Sequence, residues 1–184
     1  MFSVPNLLMI GGNSRNCGKT TLACNLIRKF AVNHKVIGLK VSNIRPGDTD
    51  MHGNHRDEPA GDFFIMEEFD RETNKDTSKL LRAGAARVFY IRATDDCLKE
   101  AILDFLNKYT DNQPIVCESR SLRDVLEPGL FFMMIRTPES KVSKDVSDYL
   151  LKADKVFFFN DQQVEKEKHI ENIAFLEGKF ILRK

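Results

Sequence analysis

Gly11-Gly12-Asn13-Ser14-Arg15-Asn16-Cys17-Gly18-Lys19-Thr20-Thr21 is the stretch on which the reading of this chain turns. It follows the apolar run 7–10 and opens segment 20–30, where Leu22, Leu26, Ile27 and Phe30 recur at helical spacing. A glycine-rich turn between a strand and a helix is a cradle for phosphate. The loop's backbone N–H groups point inward, and the helix dipole favours negative charge at that end. Gly18 lets the backbone approach closely, because no Cβ intrudes. Lys19 is expected on the β- and γ-phosphates, Thr20 on Mg²⁺ and Thr21 on the α-phosphate. Ser14, Arg15, Asn16 and Cys17 supply the intervening amides. The ligand expected is GTP or ATP with Mg²⁺. The alternative is a glycine-rich turn before an ordinary helix, which a full Gly-Lys-Thr-Thr at this junction argues against.

The spacing departs from the standard G-x-x-x-x-G-K-[ST]. Five residues, not four, separate Gly12 from Gly18. Four-residue spacing places Asn13 first, and asparagine is the residue other than glycine that best tolerates a left-handed backbone.

Outward from the loop, apolar strand-like runs alternate with helical patterns. Strands are expected at 36–41, 87–91, 114–117, 130–135 and 155–159, with a short one at 179–182. Helices are expected at 76–84, 95–109, 146–153 and near 165–172. Short strands that are apolar throughout must be covered on both faces, as in parallel sheets. The fold class is therefore α/β, a three-layer sandwich with a mostly parallel sheet, the P-loop NTPase fold. Ligands in such sheets lie outside the carboxyl ends of the strands. Length fits one domain over residues 1–184.

Residues 42–74 break the alternation. They are polar and poorly periodic, and read as a long flap beside the phosphate loop or a plain insertion. Asp48, Asp50, His52, His55 and Asp57 lie there. Asp48 or Asp50 is a candidate second Mg²⁺ ligand; the histidines match no recognised zinc spacing and read as solvated loop. Asn160 follows the strand at 155–159, and its amide is a candidate reader of a purine base; with Asp161 it also suits an ordinary turn.

Composition excludes other classes. The formal net charge is +1, from 28 basic and 27 acidic residues, so it gives no electrostatic case for nucleic acid or an anionic membrane. No apolar run has the length of a membrane span, and the N-terminus lacks the pattern of a signal peptide. Cys17, Cys24, Cys97 and Cys117 form no C-x-x-C pair, which fits reduced thiols and a cytoplasmic location. The run 130–135 reads as a central strand; partly exposed, it would be a homodimer contact.

The loop resembles that of the dethiobiotin synthetase and cobyrinic acid amide synthetase group, with Asn13 in place of a threonine. Other segments resemble the molybdopterin-guanine dinucleotide biosynthesis protein B (MobB) family. Gly38-Leu39-Lys40 ends the second strand, Lys75-Asp76-Thr77-Ser78 leads to Ala83-Gly84-Ala85, and Ile115-Val116-Cys117-Glu118-Ser119 stands where that family has a strand ending in Glu-Gly. Val41-Ser42-Asn43 stands where the family has a histidine-rich stretch. The resemblance implies a nucleotide-binding protein with weak NTPase activity that assists cofactor biosynthesis beside a partner enzyme. It implies Lys40 near the γ-phosphate. Glu118, at the end of its strand, is expected on Mg²⁺. The dethiobiotin synthetase-like spacing implies instead an ATP-dependent ligase or kinase of a small molecule. A nucleotide-controlled interaction module is the third reading. Asp76 and Thr77 begin a helix and either cap it or touch phosphate or substrate.

Overall fold

A computed structural model describes residues 1–44, 62–136, 146–159 and 170–183. β1 (Phe2–Gly12) runs into the glycine-rich turn and α1 (Lys19–Ala31). The chain continues through β2 (Ile37–Asn43), β3 (Phe63–Glu67), α2 (Asp76–Arg82), β4 (Arg87–Ala93), α3 (Leu98–Tyr109) and β5 (Ile115–Glu118). A 3₁₀ turn (Ser121–Asp124) leads to β6 (Leu126–Arg136), α4 (Ser147–Leu151), β7 (Lys155–Phe159) and a hairpin of β8 (Ile173–Leu176) and β9 (Lys179–Leu182).

The central sheet has seven strands in the order β3-β4-β2-β5-β1-β6-β7. All neighbours are parallel except β3 and β4. The strands carry apolar side chains on both faces because both faces are covered. Leu8, Ile10, Val116 and Phe132 join Leu22, Leu26 and Ile27 of α1, and Leu80 of α2, in one core layer. Met9, Leu39, Cys117 and Phe131 join Ile102 and Phe105 of α3 in the other. The expected three-layer α/β sandwich is what the chain forms.

β1 and β6 outgrow the expected runs because they pair along most of their lengths. Their register shifts between Val4 and Leu8. Gly129 fits opposite that irregularity: a Cβ there would lie 2.0 Å from the Pro5 carbonyl oxygen. The run 130–135 is buried throughout, so it offers no exposed face for a second copy.

Two elements depart from expectation. β3 forms inside the stretch read as a flap, as a five-residue antiparallel edge strand on β4. Edge position lets it be short and only half buried. The last strand gains a partner, β8, through a turn at Glu177 and Gly178 with φ of 50° and 75°. That geometry belongs to tight two-residue hairpins. The hairpin sits beside α1, where Phe180 meets Phe30 edge-on at 5.2 Å. The Lys29 ammonium anchors it, donating to the carbonyls of Ile170, Glu171 and Ile173 at 2.6–2.9 Å. Residues 165–169 of the expected late helix, like much of the flap, lie outside the described residues.

Candidate functional site

The carboxyl edge of β1 gives way to a tight loop. Gly12 is required by what packs on it: a Cβ there would lie 2.5 Å from Cys17 Sγ and 3.2 Å from the Met134 carbonyl oxygen. Cys17 is thus buried beneath the loop rather than turned outward. Asn16 and Gly18 take the left-handed conformation, with φ of 57° and 88°. Lys19 curls back over the loop, donating to the Ser14 carbonyl at 2.9 Å and lying 3.5 Å from Cys17 Sγ. The Lys19 ammonium thus closes the loop from Ser14 to Lys19 across its mouth.

Asn13 departs from expectation. It lacks a positive φ; Asn16 is the asparagine that takes it. Asn13 is buried and extends the pairing with β6. Its N–H donates to the Met134 carbonyl at 3.1 Å, and its side-chain oxygen accepts from the Arg136 N–H at 3.1 Å. Its amide is therefore committed within the fold. The extra residue in the spacing is absorbed as one more step of the β1–β6 ladder.

α1 begins with Gly18, which offers no side-chain cap, and its first turn holds no acidic residue. Its positive dipole end therefore has neither a side-chain cap nor a first-turn carboxylate. Arg15, Asn16 and Thr21 are exposed around this end. Thr20 points the other way, and its hydroxyl donates to Glu118 Oε2 at 2.8 Å. Glu118 is 6% exposed and ends β5, beside β1. Sequence separates the two residues by 98 positions, and the parallel pairing of β1 with β5 brings them together.

Lys40, at the matching register of β2, stands 3.7 Å from Glu118 Oε1 and pairs with Asp76 at the start of α2. Asp76 also meets Lys79 at 3.1 Å. A charged chain thus runs Thr20–Glu118–Lys40–Asp76–Lys79. Burial works against the Lys40 charge, but Glu118 and Asp76 outweigh it and hold its pKa above the ordinary lysine range. Burial would likewise raise Asp76, yet Lys40 holds its carboxyl below the usual carboxylate range. Thr77, the other residue at this helix start, turns inward and donates to the buried Glu68 at 2.7 Å. It meets the fold, not an open site.

Sequence reasoning missed the polar residues that follow the neighbouring strands. Asn43 ends β2, Asp95 follows β4, and Ser119 and Ser121 follow β5. Asn43 donates to Asp95, Ser121 donates to Asn43, and Ser119 and Ser121 lie 3.4 Å apart. Their position directly after strands was the available signal. Asp48, Asp50, His52, His55, Asp57, Asn160 and Asp161 lie outside the described residues. Among the described residues, no cluster of three or more His, Cys, Asp or Glu could hold a metal ion. All four cysteines are free thiols, and burial pushes Cys24 and, far more strongly, Cys117 up. Among the described residues, no helix is long and apolar enough to cross a membrane.

No family model and no curated protein matches the chain. Among solved structures, the chain is similar to the "apo" form of LpxK from Aquifex aeolicus in complex with ATP. The two are 15% identical with a TM-score of 0.52, over 90% of this chain and 51% of that one. The fold is that of a P-loop NTPase. The chain spans about half the length of the LpxK chain, and the likeness extends to the fold alone. It does not select the MobB family.

Proposed function

We propose that this protein binds a nucleoside triphosphate, ATP or GTP, with Mg²⁺ at the loop 14–21, and slowly hydrolyses it. The observation that carries this reading is the Thr20–Glu118 hydrogen bond, 2.8 Å long, beside a helix start with no side-chain cap of its own. A hydroxyl and a carboxylate side by side are the hard oxygen donors that Mg²⁺ takes. Bound there, the ion would offset charge on the phosphate oxygens. Lys19 would leave the Ser14 carbonyl for the β- and γ-phosphates, and the loop amides would take the remaining oxygens. Lys40, already held beside Glu118, is placed to neutralise charge that grows on the γ-phosphate. That LpxK was solved with ATP on the same fold is in keeping with this reading. Asp48 as a further Mg²⁺ ligand and Asn160 as base reader complete the candidate set.

An accessory role of the MobB kind, beside a partner biosynthetic enzyme, draws its support from Asp76. The Lys75–Ser78 segment that resembles that family reaches the site through the Lys40–Asp76 pair. Phosphoryl transfer to a small acceptor is the second reading, favoured by the open polar edge at Asn43, Asp95 and Ser121.

Calorimetric titration with Mg·ATP and Mg·GTP tests the binding. One site per chain is expected for at least one of the two. Lys19→Ala should weaken it about 100-fold, the scale of one lost charge-assisted contact. Absence of binding by the wild-type chain to both nucleotides would overturn the reading.

A further inference from the structure

We infer that the carboxyl edge beyond Glu118 holds a second binding site, for an oxyanion (carboxylate or phosphate) carried by an acceptor, with Arg120 as its clamp. The inference rests on the nucleotide reading for its role but on separate residues for its chemistry.

The hydrogen-bond chain here has a forced direction. The Asn43 side-chain oxygen can only accept, so Ser121 donates its hydroxyl hydrogen to it. Ser121 can then only accept from Ser119, and the Asn43 amide gives one hydrogen to Asp95. Ser119 Oγ also receives the Leu122 N–H at 3.3 Å. The two hydroxyl hydrogens are thereby used up, and the Asp95 charge has a partner. What remains to give is the second Asn43 N–H and the guanidinium of Arg120.

Arg120 sits between Ser119 and Ser121, two residues after Glu118. Its guanidinium lies over the Tyr149 ring, 5.1 Å from the centroid. Tyr149 is itself fixed by a 2.5 Å hydrogen bond from its hydroxyl to Asp124. Burial, with Asp124, pushes that phenol up to about 12, so it stays a neutral platform. Arg120 Nη1 is buried, yet has no hydrogen-bond partner among the described residues. A buried N–H without an acceptor is costly, and an arginine resting over an aromatic ring keeps its fork of donors for an oxyanion. Ser119 donates its N–H to the Ile10 carbonyl at 3.1 Å, which ties this segment to the end of β1, where the phosphate loop begins. An acceptor anchored on Arg120 would therefore lie along the same strand edge as the γ-phosphate.

The test is a thermal-shift titration of the full chain with inorganic phosphate and, separately, acetate, at constant ionic strength. Lys19→Ala serves as background, because it removes the loop's ammonium. Phosphate or acetate should still stabilise Lys19→Ala, and whichever acts at lower concentration names the anion class. Adding Arg120→Gln should raise the required concentration about tenfold or more. Adding Asn43→Asp, which turns the neighbouring amide into a repelling carboxylate of the same shape, should do likewise. Arg120→Lys should recover only part, since it keeps the charge without the fork. Loss of all anion response in Lys19→Ala alone, or an unchanged response after Arg120→Gln, would overturn the inference. Mg·ADP titrated into the wild type reports on the nucleotide reading by itself. If Mg·ADP fails to bind while the Arg120-dependent response persists, the loop assignment falls and the anion site stands.

Discussion

α1 and α2 both begin at the carboxyl edge of the sheet, and they begin in opposite ways. α1 opens on Gly18 in the left-handed conformation, with a lysine and two threonines and no acidic residue in its first turn. α2 opens with Asp76 in its first turn, and that carboxylate pairs with Lys40 and Lys79. Both helices have the same dipole and the same orphan amides. One carries an acid in its own first turn; the other carries none. The difference teaches that what a first turn withholds, not only what it carries, sets the charge at a helix start.

Breaking the comparison at its shared carboxylate should have the largest effect. Glu118→Gln keeps the shape but removes the charge beside Thr20 and Lys40. Hydrolysis measured at saturating Mg·ATP or Mg·GTP should fall about 10²–10³-fold. A decrease of less than threefold would remove Glu118 from the chemistry. Making α1 resemble α2 comes next. Thr21→Asp places a carboxylate in the exposed first turn of α1. Nucleotide affinity should drop about 100-fold by charge repulsion, while thermal melting should show a helix stabilised by about 0.5 kcal/mol. Gain of stability with affinity intact would mean the helix start is not the anion site.

A smaller effect is expected beneath the loop. Gly12→Ala drives a methyl into Cys17 Sγ, and the chain should lose about 2 kcal/mol in a denaturant melt. Gly12→Ala with Cys17→Ala should recover much of that, because the clashing sulfur is gone; no recovery would place the strain on the Met134 carbonyl instead.

Making α2 resemble α1 should matter least for folding. Asp76→Asn removes the ion pair with Lys40, a partly exposed contact worth about 1 kcal/mol. Asp76 has a lowered folded pKa, so its contribution is fully present above its unfolded value near ~3.9 and is lost as pH falls through the folded one. The melting difference between wild type and Asp76→Asn should hold from pH 7 to about 5 and close below pH 4. A difference that widens on acidification would contradict the pairing.

These contrasts also explain what could be read from the sequence. The glycine-rich loop between β1 and α1 was legible because its geometry is local: Gly18-Lys19-Thr20-Thr21 sits in one turn after an apolar run. The parallel sheet was legible because its strands are apolar on both faces. β3 was not, since Phe63–Glu67 is short, sits at an edge and follows a long polar stretch. β8 carried a signal, Glu177-Gly178 before the expected last strand, that went unused. Asn13 misled because spacing alone cannot distinguish a left-handed turn residue from one added to a ladder. Lys40, Asp76 and Glu118 converge only through strand order; Glu118 was marked by its strand-end position as well as by resemblance to a family, and Lys40 and Asp76 by that resemblance. Arg120, Asn43 and Ser121 belong to no motif; their shared position just past strand ends becomes visible once the sheet is assembled.

Amide chemical-shift mapping with Mg·ATP and Mg·GTP tests the central claim most directly. Large shifts are expected for the N–H groups of Ser14 to Thr21 and for Glu118, with a smaller one for Asn13 because its amide stays on the Met134 carbonyl, and in Lys19→Ala the same shifts should need about 100-fold more nucleotide. Shifts that leave residues 14–21 unmoved while clustering elsewhere in the chain would contradict it.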